Sequence, residues 1–126
     1  MRPIILVIDD EPDLLHVVRT ALTHSMPTYE VLTATSLDDG ETLLDQLRSS
    51  GRRVALIMAD HILGGGTGLQ LIERARSDYP NIPAVLFTGQ ASATVEERAC
   101  ELGAHVLWKP LRLSKLIGAV EDLVSA

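Results

Sequence analysis

Residues 54–68 read VALIMADHILGGGTG, and the fold is decided there. Val54 to Ala59 are apolar without interruption, and the run stops at Asp60. An apolar run of this length, bounded by a charge and glycines, predicts a parallel strand buried on both faces. Asp60 stands at its carboxyl end. In open parallel sheets, ligands and chemistry gather at the carboxyl ends of the strands. A carboxylate there is reachable from solvent yet held by a rigid element.

Working outward, the pattern recurs. Ile4 to Ile8 is a short apolar run that ends in Asp9, Asp10 and Glu11. Pro12 suits the first turn of a helix, where its missing N–H costs nothing. Leu14, Leu15, Val18, Ala21 and Leu22 follow at helical spacing, and Pro27 ends that helix. Tyr29 to Ala34 reads as a second, more exposed strand. Ser36 is a helix N-cap with Asp38 and Asp39 in the first turn, and Leu43, Leu44 and Leu47 form the apolar face. Beyond Asp60, a helix from about Thr67 to Ser77 buries Leu69, Leu71, Ile72 and Ala75. Ile82 to Phe87 is the fourth strand, ending in Thr88-Gly89. Ala91 to Leu102 is the fourth helix, closed by Gly103 as its C′ glycine. Val106 to Trp108 is a brief fifth strand before Lys109-Pro110. Leu113, Leu116, Ile117, Val120 and Leu123 stripe the last helix. Strand and helix alternate five times, which predicts an α/β fold with a five-stranded parallel sheet and helices on both faces. Almost every residue is taken up by these elements, so residues 1–126 are expected to form a single domain.

The bulk numbers agree and exclude other classes. A chain of 126 residues, 46% of them apolar, is long enough for one domain with a real core. The net charge is −6 and there is no lysine-arginine tract, which argues against a nucleic-acid surface. The single Cys100 has no partner for a disulfide and is expected to pack on its helix. The apolar run near the N-terminus is too short for a signal peptide or membrane span, so the expected location is the cytoplasm.

Four strand ends carry polar groups: Asp9 and Asp10, Asp60, Thr88, and Lys109. Right-handed crossovers bring the first, third, fourth and fifth strands side by side, so these groups converge on one edge. Three carboxylates close together repel one another. A divalent cation relieves that repulsion, and Mg2+ is the natural choice because it takes oxygen ligands, keeps waters and is completed by phosphate. A lysine and a hydroxyl beside them make a site for a phosphoryl group. A carboxylate can itself be the nucleophile, forming an acyl phosphate, and Asp60, central and alone, is best placed.

These residues carry a resemblance. The Asp9-Asp10 pair, Asp60 followed eight residues later by Gly68, Thr88 with a small residue after it, and Lys109-Pro110 stand in order on the correct strands. The chain resembles the receiver (CheY-like) domain of bacterial two-component response regulators from Ile4 to the last helix. The resemblance implies a doubly wound, flavodoxin-like sheet of order 2-1-3-4-5 with five helices. It implies that Asp60 accepts a phosphoryl group from a sensor histidine kinase or histidine phosphotransfer protein. Asp10, Asp60 and the backbone carbonyl of Ile62 then bind Mg2+, and Asp9 acts through a water. Lys109 pairs with phosphoryl oxygens. Thr88 turns toward the phosphoryl group and relays the change to the face of the fourth helix, fifth strand and fifth helix, where a downstream protein docks and a homodimer can form. The Lys109–Pro110 bond is expected to be cis. Such a chain is a regulator that catalyses only its own phosphorylation and dephosphorylation.

The chain departs from the family pattern in three places. Gly64 replaces the proline usual four residues after the phosphoacceptor, and Gly65 and Gly66 follow, which predicts a loop mobile until metal or phosphate orders it. Val106 stands where a Tyr or Phe usually rotates with the threonine; either that aromatic is absent or Trp108 takes part of its role. Ile62 and Gln90 flank the path of an attacking water, and an apolar Ile62 cannot orient it, which predicts slow self-dephosphorylation.

Blander readings stand beside these. Asp9 or Asp10 could cap the first helix, Thr88-Gly89 could be an ordinary turn, and Lys109 could be a solvated lysine. His16, His24, His61 and His105 show no metal spacing, and His61 points away from Asp60 by strand alternation. Trp108 reads as a half-buried packing residue. The triple glycine lacks the Lys-Ser/Thr of a nucleotide loop. A magnesium phosphatase of the aspartyl-phosphate kind needs a second Asp where Ile62 stands. A flavin carrier is disfavoured by 3% aromatic content and acidic strand ends. A degenerate receiver that only docks partners is the remaining alternative.

Overall fold

The computed structural model describes residues 1–89, 92–110 and 112–125. Among the described residues, seven strands and five helices follow one another: β1 Ile4–Ile8, α1 Pro12–Ser25, β2 Glu30–Ala34, α2 Leu37–Ser49, β3 Val54–Asp60, β4 Ile62–Leu63, β5 Gly66–Thr67, α3 Gly68–Asp78, β6 Ala84–Thr88, α4 Ala93–Glu101, β7 His105–Trp108 and α5 Leu113–Ser125. Five strands form one parallel sheet of order β2-β1-β3-β6-β7. With the small β4-β5 ribbon set aside, this is the order 2-1-3-4-5 that the resemblance implies.

Alternation along the central strands divides the core in two. Ile4, Leu6 and Ile8 of β1 join Ile57 and Ala59 of β3 and Leu86 of β6 on the side covered by α2, α3 and α4. Ile5, Val7, Leu56, Met58, Val85 and Phe87 face the other way, onto Leu15, Val18 and Leu22 of α1 and Leu116 and Val120 of α5. Both faces of β1, β3 and β6 are therefore covered, which is why these strands read as unbroken apolar runs. Phe87 is fully buried, and a side chain of that kind contributes about 1.5–3 kcal/mol.

The helix boundaries follow local chemistry. Ser36 Oγ accepts the Asp39 amide at the start of α2, as expected. Thr67 caps α3 rather than beginning it, in a capping box with Gln70. Ser92 caps α4, so that helix begins later than expected; Ala91 lies outside the described residues. Gly103 has φ +68°, the left-handed geometry of a C′ glycine. Neither Asp9 nor Asp10 caps α1. Glu11 holds that position without a side-chain cap bond, with Pro12 at the first turn.

Two expectations are corrected. Cys100 lies on α4 but is exposed rather than packed; of the nine residues of α4, only Ala99 is buried. The segment after Asp60 is not a plain loop. Ile62 and Leu63 pair antiparallel with Gly66 and Thr67, and the Leu37 amide donates to the Gly64 carbonyl at 3.0 Å. Among the described residues, no helix is long and apolar enough to cross a membrane.

Candidate phosphoryl-transfer site

The carboxyl edge of the sheet gathers the predicted residues. Asp9 follows β1 directly, while Asp60 and Thr88 are the last residues of β3 and β6. Lys109 follows β7, its amide donating to the Thr88 carbonyl at 3.0 Å. The strands β1, β3, β6 and β7 are consecutive neighbours, so four separate chain segments meet at one place.

Asp9, Asp10 and Asp60 each offer a carboxylate oxygen, and these oxygens lie within 4.8 Å of one another. They are the one such group of acidic, histidine or cysteine side chains among the described residues, so the histidines take no part. Asp9 is fully buried, Asp60 nearly so, and Asp10 is exposed. Asp10, Glu11, Asp60, Ile62, Thr88, Gly89 and Lys109 line a cavity of about 300 Å³ over this edge. Ile62 presents a half-exposed side chain to it. Gln90 lies outside the described residues.

Lys109 is the hub of the charge arrangement. Its Nζ donates to Asp9 Oδ2 at 3.0 Å, to Asp60 Oδ2 at 3.4 Å and to Glu11 Oε1 at 3.4 Å. The same nitrogen stands 5.2 Å above the centre of the Phe87 ring. The aromatic face adds a favourable electrostatic contact and an apolar floor for the lysine stem. Burial lowers the proton affinity of Lys109, but the Asp9 hydrogen bond and the charges of Asp9 and Asp60 outweigh it, and its pKa lies above the ordinary 10.5. The Asp9 carboxyl is also pushed up, from 3.8, because burial outweighs the help of Lys109 and of the Glu11 amide. Asp9 is the more deeply buried partner, so desolvation wins there and not at the lysine.

Gly68 explains its spacing from Asp60. A Cβ on Gly68 would overlap the Asp60 carbonyl oxygen and press on Leu86 Cδ1 at 3.0 Å. The α3 N-terminus thus packs directly against the backbone of Asp60, an approach only glycine allows. The Lys109–Pro110 bond is cis, as expected. Val106 is partly buried against the α2-α3-α4 side of the core, while Trp108 is 48% exposed and pairs in register with Thr88.

Sequence reading missed two participants. These are Glu11 and Phe87; the signal for each is its place next to a strand-end site residue. A larger cavity, about 520 Å³, opens between β7 and α5 beside Trp108, Arg112 and Lys115. Among the described residues, no carboxylate lines it.

Comparison with known proteins agrees with this geometry. The chain is 30% identical over 116 residues to the probable transcriptional regulatory protein TcrX of Mycobacterium tuberculosis, covering 90% of this chain and 46% of that one. It is 29% identical to the transcriptional regulatory protein AruR of Pseudomonas aeruginosa, covering 98% of this chain and 50% of that one. The chain thus spans about half the length of these curated relatives. The receiver domain protein of Methanospirillum hungatei superposes with a TM-score of 0.88 at 22% identity, covering 99% and 95% of the two chains. The non-phosphorylated HemR receiver domain of Leptospira biflexa superposes at 0.84 with 26% identity, covering 99% and 96%. The response regulator receiver domain model matches residues 5–121. By fold, strand-end residues and sequence, this chain belongs to the response regulator receiver domain family.

Proposed function

We propose that the chain is a working phosphoacceptor in a two-component phosphorelay, with Asp60 as the nucleophile. The observation that carries this reading is the convergence of Asp60, Lys109 and the Asp9-Asp10 pair on one cavity, with Lys109 Nζ 3.4 Å from Asp60 Oδ2. An Asp60 oxygen attacks the phosphorus of a phosphohistidine on a sensor kinase or phosphotransfer protein. The new P–O bond forms as the P–N bond breaks, and the electron pair returns to the imidazole nitrogen; with the other ring nitrogen protonated, the histidine leaves as a neutral imidazole. Lys109 supplies a fixed positive charge to the equatorial oxygens as charge builds on them.

The donor set fits a hard divalent cation. Three carboxylates with oxygens within 4.8 Å, and no nitrogen or sulfur ligand among them, match Mg2+. Asp10 and Asp60, with Asp9 through a water and the Ile62 carbonyl, would hold it. When bound, the cation neutralises phosphoryl oxygens and so favours the approach of an anionic donor to a carboxylate.

Output passes to the face of α4, β7 and α5, where a downstream protein docks. Thr88 and Trp108 are register partners on β6 and β7, which supports Trp108 as the aromatic that answers Thr88 in place of Val106. Exposed Trp108 and Leu113 give that face apolar contact area.

Intact-mass spectrometry after incubation with acetyl phosphate tests the reading. One magnesium-dependent phosphoryl adduct, absent from Asp60→Asn, is expected. A folded protein that gains no adduct under any condition would identify a docking module instead.

A further inference from the structure

Glu11 is an acidic group at the site that neither the metal ligands nor the nucleophile accounts for. Its Oε1 lies 3.4 Å from Lys109 Nζ, and its backbone amide donates to Asp9 Oδ1 at 2.8 Å. Glu11 is thus joined to both members of the Asp9–Lys109 pair, to one by its side chain and to the other by its main chain.

A lysine ammonium has three N–H donors. Lys109 faces three carboxylates, those of Asp9, Asp60 and Glu11, and each donor has a partner. The three partners differ in depth: the side chain of Asp9 is fully buried, that of Asp60 is 11% exposed and that of Glu11 is 64% exposed. A phosphoryl oxygen that recruits Lys109 must take a donor from one of them. The exposed Glu11 contact is the weakest held, because solvent replaces it readily. Glu11 also lines the cavity over Asp60, the space an incoming donor has to enter. A carboxylate there repels an incoming anion, and the repulsion grows with the anion's charge.

We propose that Glu11 is a positioning and donor-selecting residue: it holds the outer N–H of Lys109 and sets a negative charge across the approach to Asp60, disfavouring doubly charged small phosphoryl donors relative to singly charged ones. The donor-selecting half rests on Asp60 being the phosphoacceptor. The substrate class it sets is therefore the charge of the donor, a property that the aspartates and lysine of the site leave open.

The test compares the wild-type chain, Glu11→Gln and the control Asp13→Asn, an exposed charge in the first turn of α1. Phosphorylation is timed at saturating Mg2+ and neutral pH with acetyl phosphate, a dianion, and with phosphoramidate, chiefly a monoanion. Glu11→Gln is expected to raise the second-order rate constant about 3–10-fold with acetyl phosphate and about two-fold or less with phosphoramidate. The gain should appear in the half-saturating donor concentration rather than in the maximal rate, and should shrink in high salt. Equal gains with both donors, no gain, or the same gain in Asp13→Asn would overturn the proposal. NMR spectra that resolve the Lys109 Cε and Nζ resonances provide a second readout. These signals should move in Glu11→Gln and stay in Asp13→Asn. An unmoved Lys109 overturns the tether whether or not phosphorylation occurs. A wild type inert to both donors overturns the phosphoacceptor reading and the donor selection together, while the NMR result still decides the tether.

Discussion

The carbonyl oxygen of Asp60 occupies the space in which a side chain on residue 68 would begin. This contact fixes the turn between β3 and α3 and holds the backbone of Asp60 from behind. The clash for Gly68→Ala is with backbone, which cannot swing aside, so the substitution is expected to cost about 2–3 kcal/mol. Gly118, in the interior of α5, has no atom within 4 Å of its would-be Cβ. Gly118→Ala should stabilise by about 0.5–1 kcal/mol. Urea titrations of the two variants check the contrast; a neutral Gly68→Ala would disprove the packing argument.

Asp9 makes stability depend on pH. Its folded pKa is raised, so between the unfolded value of 3.8 and the folded one the folded state binds more protons. Stability therefore falls as pH rises through that window, and the cost is fully present above it. In chelator-treated buffer, Asp9→Asn should melt above wild type at neutral pH, with the gap closing as the pH falls toward 4. Thermal melts across that range test the sign. Added Mg2+ should raise the wild-type melting temperature and leave Asp60→Asn nearly unchanged.

The glycine run divides into unlike positions. The Gly64 carbonyl is held by the Leu37 amide, and a Cβ on Gly64 would make only an ordinary 3.7 Å contact with Ser36. Gly65 has φ +85°, a left-handed geometry unfavourable for other residues. Gly65→Ala should cost about 1–2 kcal/mol and Gly64→Ala about 0.5 kcal/mol or less. In hydrogen exchange the Leu37 amide should be protected and the Gly65 amide fast.

Ile62 would give a phosphoryl group carried by Asp60 an apolar neighbour. It is 53% exposed and lines the cavity, so it offers an attacking water no hydrogen bond. Ile62→Asn is expected to shorten the lifetime of the phosphorylated chain severalfold, on the scale of one positioned polar group. Loss of the phosphoryl mass with time measures it, and an unchanged lifetime would remove Ile62 from the account.

Much of the architecture was legible because the sheet is covered on both faces. Burial of that kind writes itself as unbroken apolar runs, and β1, β3 and β6 are such runs. The strand-end residues were legible for the same reason, since each run stops at a polar group. Two-residue strands have no periodicity to read, so the β4-β5 ribbon was hidden. Cys100 failed for a geometric reason. It follows Ala99, the one buried residue of α4, and a single step around a helix carries a side chain about 100° away from the core. Glu11 was illegible as a partner of Lys109 because the two are 98 positions apart and meet only when β1 and β7 are brought into one sheet.

The poor burial of α4 has a consequence of its own. Of α4 only Ala99 is buried, with Val95 packed partly against the core, and solvent-exposed charge adds to the fastening: Arg98 grips Glu73 of α3, and nearby Arg76 of α3 reaches the Gly103 carbonyl at 3.3 Å. Fastenings of this kind loosen with ionic strength, whereas the apolar core does not. The helix is thus an element whose position the surrounding electrolyte can bias. Its ease of movement is set by the composition of the solution as well as by the sequence.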